Sequence, residues 1–314
     1  MRFRSLGNTG LQISEVSLGA AEIGLNYGFK GSAQYSRPEP LESIRLIHRA
    51  LDLGINLIDT ARAYGESEEI IGTALKGVHS SVYIASKVRL SPQAEYNDAA
   101  ALRREIFASI ESSLRALQRE SIDLLLLHDA NLQYLRRPEI CAFLREAQQQ
   151  GKVRLVGVSA YDEETVLEAF RDPLFSAIQA PFNLLNQRMS QKVFPAAEAR
   201  GIGIFVRSAY LRGVLTSHLD LIPERLFPLK AAAFQFIRVL KKEAGGLAEA
   251  ALRFCLSYSA VSSVVIGVKT IGELEANIAD ASKGAIAAQL VAELESLSLA
   301  DNPLVDTRTW QDLV

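Results

Sequence analysis

Short, nearly unbroken apolar runs alternate along this chain with longer stretches in which apolar residues recur every three or four positions. The runs fall at Val16–Leu18, Asn56–Asp59, Val82–Lys87, Leu124–His128, Val153–Ser159, Ala177–Pro181, Ile202–Val206 and Val264–Val268. A run without polar alternation suits a strand buried on both faces, as in a parallel sheet. The spacing predicts helices over Leu41–Leu53, Ser67–Leu75, Asp98–Leu117, Pro138–Gln150, Glu163–Phe170, Lys192–Arg200 and Leu247–Leu256. Eight strands taking turns with helices predict an α/β architecture, a (β/α)8 TIM barrel. A doubly wound dinucleotide-binding sheet would need Gly-x-Gly-x-x-Gly after an early strand. Gly19, Gly24, Gly28 and Gly31 have the wrong spacing for it.

Some segments stand outside the alternation. Arg2–Leu6 and Leu11–Ser14 alternate around Gly7-Asn8-Thr9-Gly10, which predicts an N-terminal β-hairpin. Residues 21–40 carry Tyr27, Phe29 and Tyr35, and residues 207–243 contain an extra helix near 228–243. The tail from Ala285 holds a last helix and ends in a C-terminal loop with Trp310. No repeat or linker interrupts the pattern, so residues 1–314 are read as a single barrel domain.

Composition narrows the function. Apolar residues make up 48%, enough for a large core. A net charge of −2 argues against nucleic acid or an anionic membrane as the partner. The N-terminus lacks an apolar signal region, and no stretch reaches the roughly 20 apolar residues of a membrane span. Cys141 and Cys255 lie far apart in predicted helices and are read as free buried thiols of a cytoplasmic protein. The four histidines show no metal-ligand spacing, so no metal is expected. The expected partner is a small molecule, and the expected assembly a monomer or small homo-oligomer.

Chemistry is concentrated where apolar strands end. Strand two ends in Asp59, strand three in Lys87 and strand four in His128. Each is costly to bury alone. In a parallel barrel these three ends are neighbours, and Tyr64, five residues after Asp59, can reach the same mouth. A carbonyl that accepts hydride becomes an alkoxide and needs a proton donor. A tyrosine, with a pKa near about 10, needs a nearby cation to act near neutrality. Lys87 is expected to supply that cation, Asp59 to keep it charged, and neutral His128 to orient the substrate oxygen. These residues point to a carbonyl/alcohol oxidoreductase with Tyr64 as general acid/base.

The motifs Asp59-Thr60-Ala61-x-x-Tyr64-Gly65-x-Ser67-Glu68, Ser86-Lys87 and Leu126-Leu127-His128-Asp129 resemble the aldo-keto reductase superfamily. Gly151-Lys152-Val153-Arg154, Gly157-Val158-Ser159 and Gly267-Val268-Lys269-Thr270 with Asn277 extend the likeness over most of the chain. The resemblance implies a barrel whose N-terminal face is closed by a hairpin, and a nicotinamide cofactor, NADP by family habit. It assigns Asp59, Tyr64, Lys87 and His128 to the catalytic tetrad. Ser159 and Gln179 would hold the nicotinamide carboxamide, and Ser208, Tyr210 and Arg212 the pyrophosphate. Gly267, Lys269, Thr270, Glu273 and Asn277 would grip the adenosine end.

Three positions depart from the family pattern. Ala160 stands where an Asn is common, and Arg207 where an aromatic residue stacks on the nicotinamide. Arg207 is read either as a stacking guanidinium or as a group for an anionic substrate or cofactor phosphate. Glu273 replaces an Arg or Gln near the adenosine ribose and favours NAD, whereas Lys269 favours a phosphate. Asp129 could bind a polyol, or cap the following loop. Tyr27, Phe29 and Trp310 could wall a substrate pocket, or pack against the barrel. Two rival functions share these features. One is a Schiff-base lyase using Lys87, which needs a neutral lysine. The other is a nicotinamide-binding regulatory subunit, like the channel-associated β subunits of this fold.

Overall fold

The computed structural model describes residues 1–32, 35–91, 98–240 and 245–313. Its strands are β1 (Phe3–Ser5), β2 (Gln12–Ser14), β3 (Val16–Gly19), β4 (Leu57–Asp59) and β5 (Tyr83–Val88). They continue with β6 (Ile122–Leu127), β7 (Val153–Ser159), β8 (Phe175–Pro181), β9 (Gly203–Arg207) and β10 (Val261–Gly267). Strands β3 to β10 pair in parallel and in chain order, and β10 returns to β3 to close the barrel. The helices are α1 (Ala21–Gly24), α2 (Pro40–Asp52), α3 (Ser67–Ala74), α4 (Ala99–Leu117), α5 (Leu132–Leu135) and α6 (Pro138–Gln149). After them come α7 (Glu163–Ala169), α8 (Val193–Arg200), α9 (Phe227–Leu240), α10 (Leu247–Leu256), α11 (Ile271–Ser282) and α12 (Ala288–Glu295). The predicted (β/α)8 barrel is the fold.

The period of two along each strand divides the core. Ile58, Ile84, Leu125, Ile178 and Val264 face the helices in the larger apolar cluster. Leu57, Ala85, Leu124, Leu126, Ala177, Phe205 and Val265 fill the barrel interior. Because both faces are buried, the strands read as continuous apolar runs. β8 and β10 exceed their predicted runs the most. β10 begins at Val261 rather than Val264 because Ser262 and Ser263 are buried polar residues, the former donating to the Ser5 carbonyl at 2.9 Å. Strand β8 begins at Phe175, where Ser176 breaks the apolar run. The extra helix begins at Phe227; the predicted last residues, 241–243, lie outside the described residues.

The hairpin β1–β2 pairs Phe3 with Ser14 and plugs the base of the barrel. Leu6, Leu11 and Ile13 are buried against the interior cluster. Arg4 donates to the carbonyls of Leu256 at 2.8 Å and Val261 at 2.7 Å, and Arg2 pairs with buried Glu15 at 2.9 Å. Gly7 (φ +52°) lies so close to Gly201 that a Cβ would come 2.3 Å from its carbonyl oxygen. No helix among the described residues is long and apolar enough to cross a membrane.

Candidate active site

The alternation that packs the interior also places the chemistry. Asp59 lies two residues after inward Leu57, Lys87 two after Ala85, and His128 two after Leu126. Ser159, Gln179, Arg207 and Gly267 stand in the same relation to Gly157, Ala177, Phe205 and Val265. Side chains two apart on a strand share a face. All seven positions therefore share the inner face at the carboxyl end of the barrel, the usual position of barrel active sites.

Lys87 is 1% exposed; its Nζ donates to Asp59 Oδ1 at 2.7 Å and to the Thr60 carbonyl at 2.9 Å. The same Asp59 oxygen accepts from Gln179 Nε2 at 2.8 Å, and Gln179 Oε1 accepts from Ser159 at 3.2 Å. Asp59 is thus held from two strands. The Lys87 ammonium lies 4.7 Å from the Tyr64 ring centroid, and Tyr64 meets His128 edge-on at 5.9 Å. The four residues proposed as a tetrad are together. A lysine so tightly donated to Asp59 is poorly prepared for Schiff-base chemistry.

Local contacts explain the conformation of the Tyr64 loop. The Tyr64 N–H donates to the Ala61 carbonyl at 2.9 Å, and Thr60 Oγ1 bonds Ser67 Oγ at 2.7 Å. Glu68 is fully buried, accepts from Ser86 at 2.6 Å and pairs with Arg62 at 2.9 Å, which fastens the loop to β5 beside Lys87. At Gly24 a Cβ would lie 1.9 Å from the Tyr64 carbonyl oxygen. At Gly65 (φ +57°) it would lie 2.3 Å from that of Gly24. Only glycine at both positions lets the loop lie against α1.

Burial dominates the electrostatics of the mouth. Burial pushes the Tyr64 phenol above its ordinary pKa, Asp59 adds to the rise, and Arg207 is the main cation opposing it. The Lys87 ammonium is held by Asp59, as expected, and lies beside the Tyr64 ring. Burial pulls Lys87 itself below the usual lysine range while Asp59 pulls it back. His128 is lowered to about 2 by burial, then by Lys87, Arg207 and Arg89, so its ring is neutral as expected. The 3.7 Å approach of Asp129 to His128 Nε2 is therefore no ion pair. His128 Nδ1 is buried with no hydrogen-bond partner among the described residues.

A cavity of about 880 Å³ extends from Asp59, Tyr64 and His128 to Lys269, Thr270 and Asn277. Its far end is structured by backbone. Thr270 caps α11 and forms a capping box with Glu273, whose Oε2 accepts from the Lys269 N–H at 2.7 Å. Glu273 is thus engaged by its own helix terminus. Tyr210 donates to Asn277 at 2.8 Å. Ser208, Leu211 and Arg212 all have positive φ, as does Asp129, so strained backbone gathers around the cavity. Arg212 lies over the Tyr27 ring at 4.4 Å, and Lys269 Nζ donates to the Tyr27 carbonyl at 2.8 Å.

Of the residues read as possible substrate contacts, Tyr27, Phe29 and Asp129 line the cavity. Trp310 does not. It is fully buried, donates to the Leu304 carbonyl at 2.9 Å and stacks on Phe29 with centroids 6.0 Å apart, so its role is packing. Ala160 is likewise buried and offers no side-chain polar group. Tyr161 and Glu22 are among the cavity residues that escaped the sequence reading. Tyr161 follows the departure at Ala160, which was its signal; Glu22 lies in the short helix α1 and had none. Burial raises Glu22 to about 7, with Lys269 and Arg212 opposing and Glu273 reinforcing the rise.

Residues 15–298 match the sequence profile of the Aldo/keto reductase family. The chain belongs to this family. It is 34% identical over 225 residues to Aldo-keto reductase YhdN of Bacillus subtilis, covering 70% of this chain and 65% of that protein. It is 26% identical to L-galactose dehydrogenase of Arabidopsis thaliana over 97% of this chain and 92% of the relative. The holo form of aldo-keto reductase AKR11C1 from Bacillus halodurans superposes with a TM-score of 0.79 at 25% identity, covering 96% and 97% of the two chains. The chain spans slightly less than two thirds of YhdN's length but nearly all of the other two.

Proposed function

We propose that this aldo-keto reductase is a single-barrel oxidoreductase that exchanges a hydride between a nicotinamide cofactor and a carbonyl or alcohol, with Tyr64 as proton donor and acceptor. The reading rests on the buried array of Asp59, Lys87, Tyr64 and His128 on the inner face of the barrel mouth. Burial keeps the Tyr64 phenol protonated, the form from which reduction takes its proton, and Arg207 is the main cation that offsets part of the rise. Neutral His128 offers a ring N–H to orient the substrate oxygen. Asp59 keeps Lys87 in place beneath the Tyr64 ring, so the phenol sits at a fixed point of the cavity.

The residues present fit a dinucleotide. The cavity runs from Asp59, Tyr64 and His128 to the α11 N-terminus at Thr270, and Lys269 and Arg212 line it as well. Ser159 and Gln179 would hold the carboxamide, Ser208, Tyr210 and Arg212 the pyrophosphate, and Lys269, Thr270 and Asn277 the adenosine end. When bound, the cofactor supplies the hydride. The sugar dehydrogenase among the relatives and Asp129 in the cavity support a polar carbonyl or polyol substrate.

Tyr64→Phe tests the assignment. General acid work contributes about 10²–10⁴ in rate, so turnover of aldehydes should fall by about that factor. The calorimetric Kd for NADH and NADPH should change less than about twofold, because the ring remains. Full kcat in the variant would transfer the acid role elsewhere and overturn the reading.

A further inference from the structure

Arg207 is the last residue of β9 and lies on the inner face with Asp59, Lys87, His128 and Gln179. Its neighbouring cations are matched. Lys87 pairs with Asp59 at 2.7 Å, Arg89 lies 3.7 Å from Asp129, and Arg308 pairs with Asp306. Arg207 has no carboxylate within ion-pair distance among the described residues; its single hydrogen bond is a long 3.5 Å contact from Nη1 to Ser208 Oγ. The guanidinium is nonetheless held in place, with Cζ 4.0 Å from the Tyr161 ring centroid, and Arg308 Cζ lies 4.2 Å from the same centroid. Both Arg207 and Tyr161 line the cavity that reaches Tyr64 and His128.

An unmatched cation in a partly buried pocket is costly to keep beside Lys87, because like charges at short range repel. Arg207 is near enough to depress Lys87 and His128 and to oppose the rise of Tyr64, which places it at the reacting end. The other cations of the cavity, Lys269 and Arg212, are engaged by Tyr27, through its carbonyl and its ring. A guanidinium presents paired parallel donors, which match the two oxygens of a carboxylate.

We propose that Arg207, seated on Tyr161, is a subsite for an oxyanion on the substrate, so that the carbonyl compound taken by this cavity carries a carboxylate. The inference rests on the oxidoreductase reading and supplies the substrate class it leaves open. Tyr161 and Arg308 act as positioning residues that fix the plane of the guanidinium. Asp129, paired across the mouth with Arg89, leaves the Arg207 side as the positive wall.

The test compares 4-carboxybenzaldehyde with benzaldehyde, which differ in the distal anion. The ratio of their kcat/KM values should be about tenfold or more in the native protein, the scale of a charge-assisted hydrogen-bonded pair. It should fall to about one in Arg207→Gln and be partly retained in Arg207→Lys. Being a ratio within one enzyme, it is insensitive to losses of folding or cofactor affinity. Calorimetry adds a readout without turnover: benzoate should bind the native protein and lose about tenfold in Arg207→Gln, while neutral benzamide should show no such dependence. A native ratio near one, or a ratio and benzoate affinity both indifferent to Arg207→Gln, overturns the subsite. Weakened cofactor binding with an unchanged ratio assigns Arg207 to a cofactor phosphate and also overturns it. Benzoate binding that depends on Arg207 without turnover of either aldehyde upholds the anion site and sinks the oxidoreductase reading instead.

Discussion

At the scale of single residues, the cavity is built from charges that are paired, buried or deliberately left bare. Burial raises the Glu22 carboxyl to about 7, against the opposing pull of Lys269 and Arg212 and with Glu273 adding to the rise. Its folded-state pKa lies above the ordinary glutamate value, so the native state binds its proton more tightly than the unfolded chain. That contribution is neutral at low pH, turns against the native state as pH climbs out of the glutamate range, and reaches its full adverse size above about 7. Glu22→Gln should therefore melt close to the native protein at about pH 5 and above it at about pH 8, by differential scanning calorimetry. A gap independent of pH would remove Glu22 from the titrating groups. The tetrad was legible in the sequence because costly residues ended apolar strands. The Asp59–Lys87 pair was read from the sequence; what it did not reveal was that burial dominates Tyr64 and that Arg207 is the main cation opposing it. Those outcomes depend on solvent exclusion, which only the assembled mouth creates. The sequence left Trp310 between wall and packing because aromatic residues in outer loops look alike whether they face a ligand or a neighbour.

At the scale of elements, strand identity followed from apolar runs, and strand length failed where serines were buried. Ser262 and Ser263 carry no apolar signal, although one is satisfied by a backbone carbonyl of the hairpin. The short helices α1 and α5 were missed because four residues hold too little periodicity to read. The Tyr64 loop was the better case, since Ser67 and Glu68 recur in the family motif and here clamp the loop to β3–β5 surroundings. Its two glycines carry a testable claim. Gly65→Ala puts a Cβ at positive φ and against the Gly24 carbonyl, so the loop must move. Such strain costs about 1–3 kcal/mol. We expect kcat to fall together with thermal stability, because displacing Gly65 displaces Tyr64. Unchanged kinetics in a stably folded Gly65→Ala would show that the loop does not set the position of the phenol.

At the scale of the molecule, one closed barrel separates structure from chemistry by end. Its base is apolar and plugged by the hairpin; its mouth is polar and strained. Leu6 sits fully buried at the plug, within contact of the backbone at Gly203. Leu6→Ala should destabilise the fold by about 2–5 kcal/mol, the range for large-to-small core changes. The melting temperature should drop while KM for carbonyl substrates stays put, because the mouth is at the far end of the strands. A selective loss of substrate affinity without destabilisation would contradict this division. The barrel could be read from the alternation of runs and helices alone, since topology of this kind is dictated by burial on both strand faces. The rim loops could not, because their conformations depend on contacts such as Lys269 to the Tyr27 carbonyl that join residues far apart in the chain.

Trp310 is the single tryptophan of the chain, and it lies fully buried against Phe29, which lines the cavity. The molecule therefore contains one indole chromophore, in one environment, a single ring away from the ligand space. Ultraviolet emission from the native protein reports on that one location without labels. A blue-shifted band marks the closed tail, its quenching or shift marks a ligand that disturbs Phe29, and a red-shifted band marks release of the tail into water.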